Sequence, residues 1–163
     1  MDANGKELIT GLYGEGDFIG YLDLLESDEY RESAMAMEDV EAAMIPREDF
    51  FALIYHNRDV AIRFIRMLSN NALELKERLL DLAYASVRKR VADSLLSIQK
   101  KYIETGMDST LPISRENLAS HVGITPETLS RTLHDFIEED LIGISEEHEI
   151  VIRSRDKLSR MKN

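Results

Sequence analysis

The chain has 163 residues, a formal charge of −11 and no cysteine. That length suits one sizeable domain or two small ones, and the missing cysteines exclude disulfides, thiolate zinc sites, cysteine-ligated iron-sulfur clusters and cysteine nucleophiles. Its apolar runs are too short to span a bilayer or to form a signal-peptide core, so a cytoplasmic address is expected.

The charge is unevenly placed. Residues 1–58 carry 4 basic and 14 acidic side chains, residues 59–107 carry 9 and 6, and residues 108–163 carry 7 and 11. Acidity dominates the N-terminal third. A nucleic-acid contact further along would rest on a few well-placed arginines rather than on the global sign.

Glu7 to Tyr13 reads as a strand, Gly14-Glu15-Gly16-Asp17 as a turn, and Phe18, Ile19 and Leu22 to Leu25 supply apolar residues beyond it. Val40 to Ile45 reads as a further short strand stopped by Pro46. Together these make a piece of β structure.

After Pro46 the period becomes helical, first in a short helix near Arg47 to Tyr55 and then in a long one. Ala61, Ile65, Leu68, Ala72, Leu75, Leu79, Leu82 and Ser86 step alternately by four and three, the spacing of a heptad seam. One reading is an amphipathic helix lying on its own domain. The other is a self-complementary stripe pairing with its twin in a homodimer through Ile65, Leu68, Ala72, Leu75, Leu79 and Leu82. A second helix is expected from Val87 to Tyr102, ended by Thr105-Gly106, with Val91, Leu95, Ile98 and Tyr102 inward and Lys89, Arg90, Lys100 and Lys101 on a solvated face.

Residues 114–137 carry the functional signal. Ser114 can cap a two-turn helix from Arg115 to Val122, Gly123 can take the left-handed turn, and Thr125 can cap a helix that begins at Pro126. Leu118, Val122, Ile124, Leu129 and Leu133 would face inward, and Ala119 is small where the helices cross. This is the spacing of a helix-turn-helix. Leu141 to Ser145 and Glu149 to Ile152 read as the strands of a hairpin wing around Glu146-Glu147-His148.

On the second of these helices Glu127, Ser130 and Arg131 could face base edges. Arg131 can donate two hydrogen bonds to a guanine, Glu127 can accept from a cytosine, and Ser130 can meet a base or a phosphate. Glu127 and Arg131 are also spaced to form a helix-stabilising ion pair. Arg115, Thr125 and Thr128 lie near helix starts, which suits phosphate oxygens. His56, His121, His134 and His148 have no ligand spacing, so no metal site is expected, and no catalytic motif suggests an enzyme.

The run Ile113-Ser114-Arg115-Glu116-Asn117-Leu118-Ala119-Ser120-His121-Val122-Gly123-Ile124-Thr125-Pro126-Glu127-Thr128-Leu129-Ser130-Arg131 resembles the DNA-binding signature of the Crp-Fnr family of bacterial transcription regulators. Its Glu-x-x-Ser-Arg pattern is similar to the Fnr branch, which implies TTGAT-like half-sites in an inverted repeat. Gly14-Glu15-Gly16-Asp17-Phe18-Ile19-Gly20 resembles the glycine-rich turn of that family's effector-binding β-roll, and the long helix its dimerisation helix.

The resemblance implies an α+β fold. It divides into a truncated, cyclic-nucleotide-binding-like β-roll (jelly roll) over 1–57, a dimerisation helix and hinge over 58–86, and a winged helix-turn-helix over 87–163. The N-terminal part of the roll would be missing. Implied partners are double-stranded DNA, a second copy of the chain and, for an activator, RNA polymerase. An effector site would involve Gly20, Tyr21, Leu22, Arg31 and Ser33. Two departures count against cyclic AMP and leave the effector unidentified: Tyr21 stands where cyclic-AMP-binding members carry a ribose-binding Glu, and Glu32 splits Arg31 from Ser33. The missing cysteines exclude the iron-sulfur sensing of the Fnr branch. The competing reading is a sensory or protein-interaction module whose winged domain does not bind DNA productively, motivated by the net acidity of residues 108–163.

Overall fold

The computed structural model describes residues 8–26, 29–104 and 110–161. Two compact units emerge, one formed by Met1–Asp17 with Asp81–Asn163 and the other by Phe18–Leu80.

In the Phe18–Leu80 unit, helix α1 spans Tyr21–Glu26 and α2 spans Arg47–His56, while α3, Arg58–Tyr84, begins here and runs on past Leu80. The core is an aromatic cluster. Phe64 meets Tyr21 edge-on at 5.9 Å and Phe50 at 5.1 Å between ring centroids, and Leu24, Leu25, Ile54, Met67 and Leu68 pack around them. The Tyr21 hydroxyl accepts a hydrogen bond from the Asn71 amide, which ties α1 to α3.

The two short strands expected near the N-terminus do not form. Residues 8–13 and 40–45 form no strand, and Glu7 lies outside the described residues. A strand needs a ladder for its N–H and C=O groups, and the sheet among the described residues is built from other segments. Ile9 N–H donates instead to the Ser120 carbonyl at 3.3 Å. The turn does form, closed by Asp17 N–H on the Gly14 carbonyl at 3.1 Å and Gly14 N–H on the Asp17 carboxylate at 2.9 Å. The Leu22 to Leu25 stretch is helical, because Tyr21, Leu24 and Leu25 fall on one helical face toward Phe64.

In the other unit, α4 is Val87–Glu104, β1 Thr110–Leu111, α5 Arg115–Val122, α6 Pro126–Glu138, β2 Ile142–Ile144, β3 Ile150–Ile152 and α7 Arg155–Ser159. Ser86 is not the last rung of the seam. It follows the end of α3, and its hydroxyl accepts from Lys89 N–H at 3.3 Å, capping α4. The expected Thr105-Gly106 stop lies outside the described residues.

The strands form one antiparallel sheet in the order β1-β3-β2, with Leu111 opposite Ile150 and Ile142 opposite Ile152. The hairpin turns at His148 (φ 65°), and the Ser145 hydroxyl accepts from Glu149 N–H. Val91, Leu95 and Ile98 of α4, Leu118 of α5, Leu129, Leu133 and Phe136 of α6, Ile142 and Leu158 form a closed core. That core holds α5 and α6 in fixed relation.

Candidate nucleic-acid interface

The α5–α6 turn follows from three local choices. The Ser114 hydroxyl accepts from Asn117 N–H at 3.1 Å, Gly123 takes φ 74° and ψ 43°, and the Thr125 hydroxyl accepts from Thr128 N–H at 3.3 Å with Pro126 opening α6. Gly123 and Ile124 both donate to the Ala119 carbonyl, closing the end of α5. Arg90, expected on a solvated face, is half-buried, and its guanidinium donates to the Val122 carbonyl at 3.1 Å. Its distance in sequence from Val122 hid this role. The basic pattern of α4 gave no sign of a cap for another helix.

Helix α6 is two-faced. Leu129, Thr132, Leu133 and Phe136 are buried, and the Thr132 hydroxyl satisfies itself on the Thr128 carbonyl. On the opposite arc Glu127, Ser130 and Arg131 are exposed, bracketed by spacings of three and four. Ion pairing does not hold Glu127 to Arg131. The Glu127 carboxyl lies below the usual Glu range because its own backbone N–H and the Thr125 hydroxyl hydrogen-bond to it, helped by the attraction of Arg131. It is therefore an ionised acceptor near neutral pH, and the Arg131 guanidinium is left open to solvent.

The two ends of α6 differ in charge. Arg131 lies toward the N-terminal end, whereas Asp135, Glu138, Glu139 and the following Asp140 crowd the C-terminal end. Arg88 pairs with Asp135 and Glu139 and Arg153 pairs with Asp140, so the C-terminal end has its cations engaged by carboxylates, whereas the Arg131 guanidinium is exposed.

Arg115 is half-buried at the start of α5. Thr125 and Thr128 are less free than their positions suggest. Their hydroxyls are 3.1 Å apart, and the Thr128 N–H is taken by the cap. Pro126 has no N–H, so α6 presents few unclaimed backbone donors to a phosphate.

The residues suggested for an effector do not converge. Tyr21 is a core side chain, and Gly20 has φ 77° with the Tyr30 ring against its Cα. Leu22 and Ser33 are exposed. Arg31 is held by Asp23 and Glu26, each at 3.5 Å, so an incoming phosphate would compete with two carboxylates. An open cleft of about 270 Å³ in this unit is lined by Asp23, Leu24, Glu29, Tyr30, Met44, Ile45, Pro46 and Arg47, and includes none of the five.

Along α3, Ile65, Leu75 and Leu79 are 63%, 65% and 66% exposed, and Ala72 and Leu82 are exposed as well. Leu68 differs. It is half-buried against the aromatic cluster of the same chain.

Residues 89–161 match the Crp-like helix-turn-helix domain family and residues 1–57 the cyclic nucleotide-binding domain family. The chain is 34% identical over 140 residues to the cyclic AMP receptor protein of Thermus thermophilus, covering 86% of this chain and 63% of that protein. It is 31% identical over 147 residues to the cAMP-activated global transcriptional regulator CRP of Salmonella typhimurium, covering 87% and 69%. Among solved structures, the c-di-GMP responsive global regulator CLP of Xanthomonas campestris superposes with a TM-score of 0.67 at 21% identity, over 93% of this chain and 76% of that one. FixK2 of Bradyrhizobium japonicum gives a TM-score of 0.64 at 23% identity, over 73% and 60%. Both structures share the fold. The chain thus spans about two thirds of the length of the relatives it matches.

Proposed function

The chain belongs to the Crp-Fnr family of transcription regulators, and on that premise we propose that it is a sequence-specific DNA-binding regulator that works as a homodimer. The observation that carries this reading is the exposed arc of α6, where Glu127, Ser130 and Arg131 stand opposite a fully buried arc. Arg131 and Glu127 read a guanine and a cytosine, Ser130 a neighbouring base or phosphate, and Arg115 with the Thr125 and Thr128 hydroxyls touches the backbone.

The functional division is residues 1–57 as part of an effector domain, 58–86 as dimerisation helix and hinge, and 87–163 as DNA-binding domain. The exposed stripe Ile65, Ala72, Leu75, Leu79 and Leu82 pairs with its twin, while Leu68 serves the protomer core first. A twofold pair sets two α6 helices about one DNA turn apart, roughly 34–36 Å, so the operator is an inverted repeat with TTGAT-like half-sites. An effector would act by changing the angle at the break near Ser86. RNA polymerase is the further partner if the regulator activates.

Titration of the protein against labelled duplexes tests this. An inverted TTGAT-type repeat should bind more tightly than a scrambled duplex by at least about 10³-fold, with affinity falling steeply as salt rises. Equal affinity for the two duplexes, from a protein that sediments as a dimer, would overturn it.

A further inference from the structure

Arg88 is the second residue of α4, and the sequence pattern gives it no role. Its Nη2 sits 2.8 Å from both carboxylate oxygens of Glu139, its Nη1 3.3 Å from Asp135 Oδ2, and its Cζ lies 4.9 Å above the centroid of the Phe136 ring. One side chain therefore grips the last turn of α6 in three ways. The two guanidinium nitrogens, Nη2 on Glu139 and Nη1 on Asp135, make a fork across two carboxylates that fixes direction as well as distance, which a single charge on a flexible stem cannot do. Phe136 is fully buried, so the stacked guanidinium is referenced to the core of the module.

We infer that Arg88 is a positioning residue: it sets the tilt of α6 against α4, and through it the place of Arg131 and Glu127 at the base edges. The inference rests on the DNA-reading role proposed above. Arg88 lies immediately after the α3–α4 break, so the start of α4 and the end of α6 move as one piece. Its charge is matched by two carboxylates and is not offered to phosphate. A group that only touched phosphate would contribute to affinity alike on every sequence, whereas a positioning group contributes only where the bases are read.

Arg88→Met keeps the stem over Phe136 and removes the fork. Binding to the inverted repeat and to a scrambled duplex is measured over a range of salt, beside melting curves that check folding. We expect the preference for the repeat to fall about three- to tenfold, with unchanged scrambled-duplex affinity and an unchanged slope of log K against log salt. Arg88→Lys, with charge but no fork, should recover little. The swapped pair Arg88→Glu with Glu139→Arg should recover more than either change alone.

An unchanged preference in Arg88→Met, or a uniform loss on both duplexes with the slope reduced by about one, would overturn the positioning role while leaving DNA reading intact. A swapped pair no better than its single changes would overturn it too. A wild-type protein with no preference for the repeat would overturn the DNA-reading proposal itself, and the positioning role with it.

Discussion

Among the described residues, the unit that holds the winged module buries sixteen apolar side chains, contributed by α4, α5, α6, α7, all three strands and the segments joining them, whereas the Phe18–Leu80 unit buries only Tyr21, Phe50 and Phe64. In the second unit Ile19, Leu22, Met35, Val40, Met44, Tyr55, Ile65 and Leu75 remain largely exposed. The winged module therefore satisfies its own hydrophobic demand within one protomer. The Phe18–Leu80 unit leaves an apolar surface of the kind that marks association. The residues proposed to read bases sit on the self-sufficient part, where α6 is held by the core and by Arg88.

The largest effect that would sharpen this contrast is a cavity in the closed core. Leu133→Ala should cost about 2 to 5 kcal/mol in urea unfolding, because Leu133 is 1% exposed and its surroundings cannot collapse freely. Phe64→Ala, in a cluster open at its edge, should fall at or below about 3 kcal/mol despite removing a larger side chain. A larger loss for Phe64→Ala would reverse the comparison.

Leu75→Glu should leave the protomer's melting temperature nearly unchanged while removing self-association in sedimentation velocity, because the side chain is exposed on α3. Persistence of a dimer would move the interface away from the seam. Gly123→Ala should cost about 1 to 2 kcal/mol through backbone strain at φ 74°, since the added methyl would meet only ordinary contacts with Leu82 and Leu8. A neutral result would mean that the turn re-forms in another conformation.

The smallest effect concerns pH. Burial raises the Asp17 carboxyl, but hydrogen bonds from Lys101 and Gly14 N–H, together with the Lys101 charge, bring it below the usual Asp range. A lowered folded value contributes stability above the ordinary Asp range and loses it as pH falls through the folded value. Asp17→Asn should thus be slightly less stable than wild type at neutral pH, with the gap closing in acid. A gap that widens in acid would contradict the assignment.

The winged module was legible residue by residue because its signals are local. A cap at Ser114, a left-handed Gly123, a cap at Thr125 and an alternating hairpin each act within a few positions. Strand β1 and helix α7 leave no signature in the sequence because two and five residues carry too little periodicity. The N-terminal strand pattern misleads for the opposite reason. Val40 to Ile45 is β-branched only at its two ends, and a strand is completed by a partner that a local pattern does not supply.

Of the candidate site, the exposed arc of α6 was legible from helical spacing. The grips of Arg88 and Arg90 were not, since each joins residues more than thirty positions apart. Tyr21 and Arg31 suited a ligand site by position in the chain. Packing gave Tyr21 to the aromatic core and Arg31 to two carboxylates.

The central claim is that the N-terminal half of α6 meets base edges. Its most direct test compares wild type and Arg131→Ala on the inverted repeat and on duplexes altered at one base pair at a time. Arg131→Ala should lose about 1 to 3 kcal/mol of discrimination at a single guanine per half-site, with preferences elsewhere retained. An unchanged preference at every position in Arg131→Ala would contradict it.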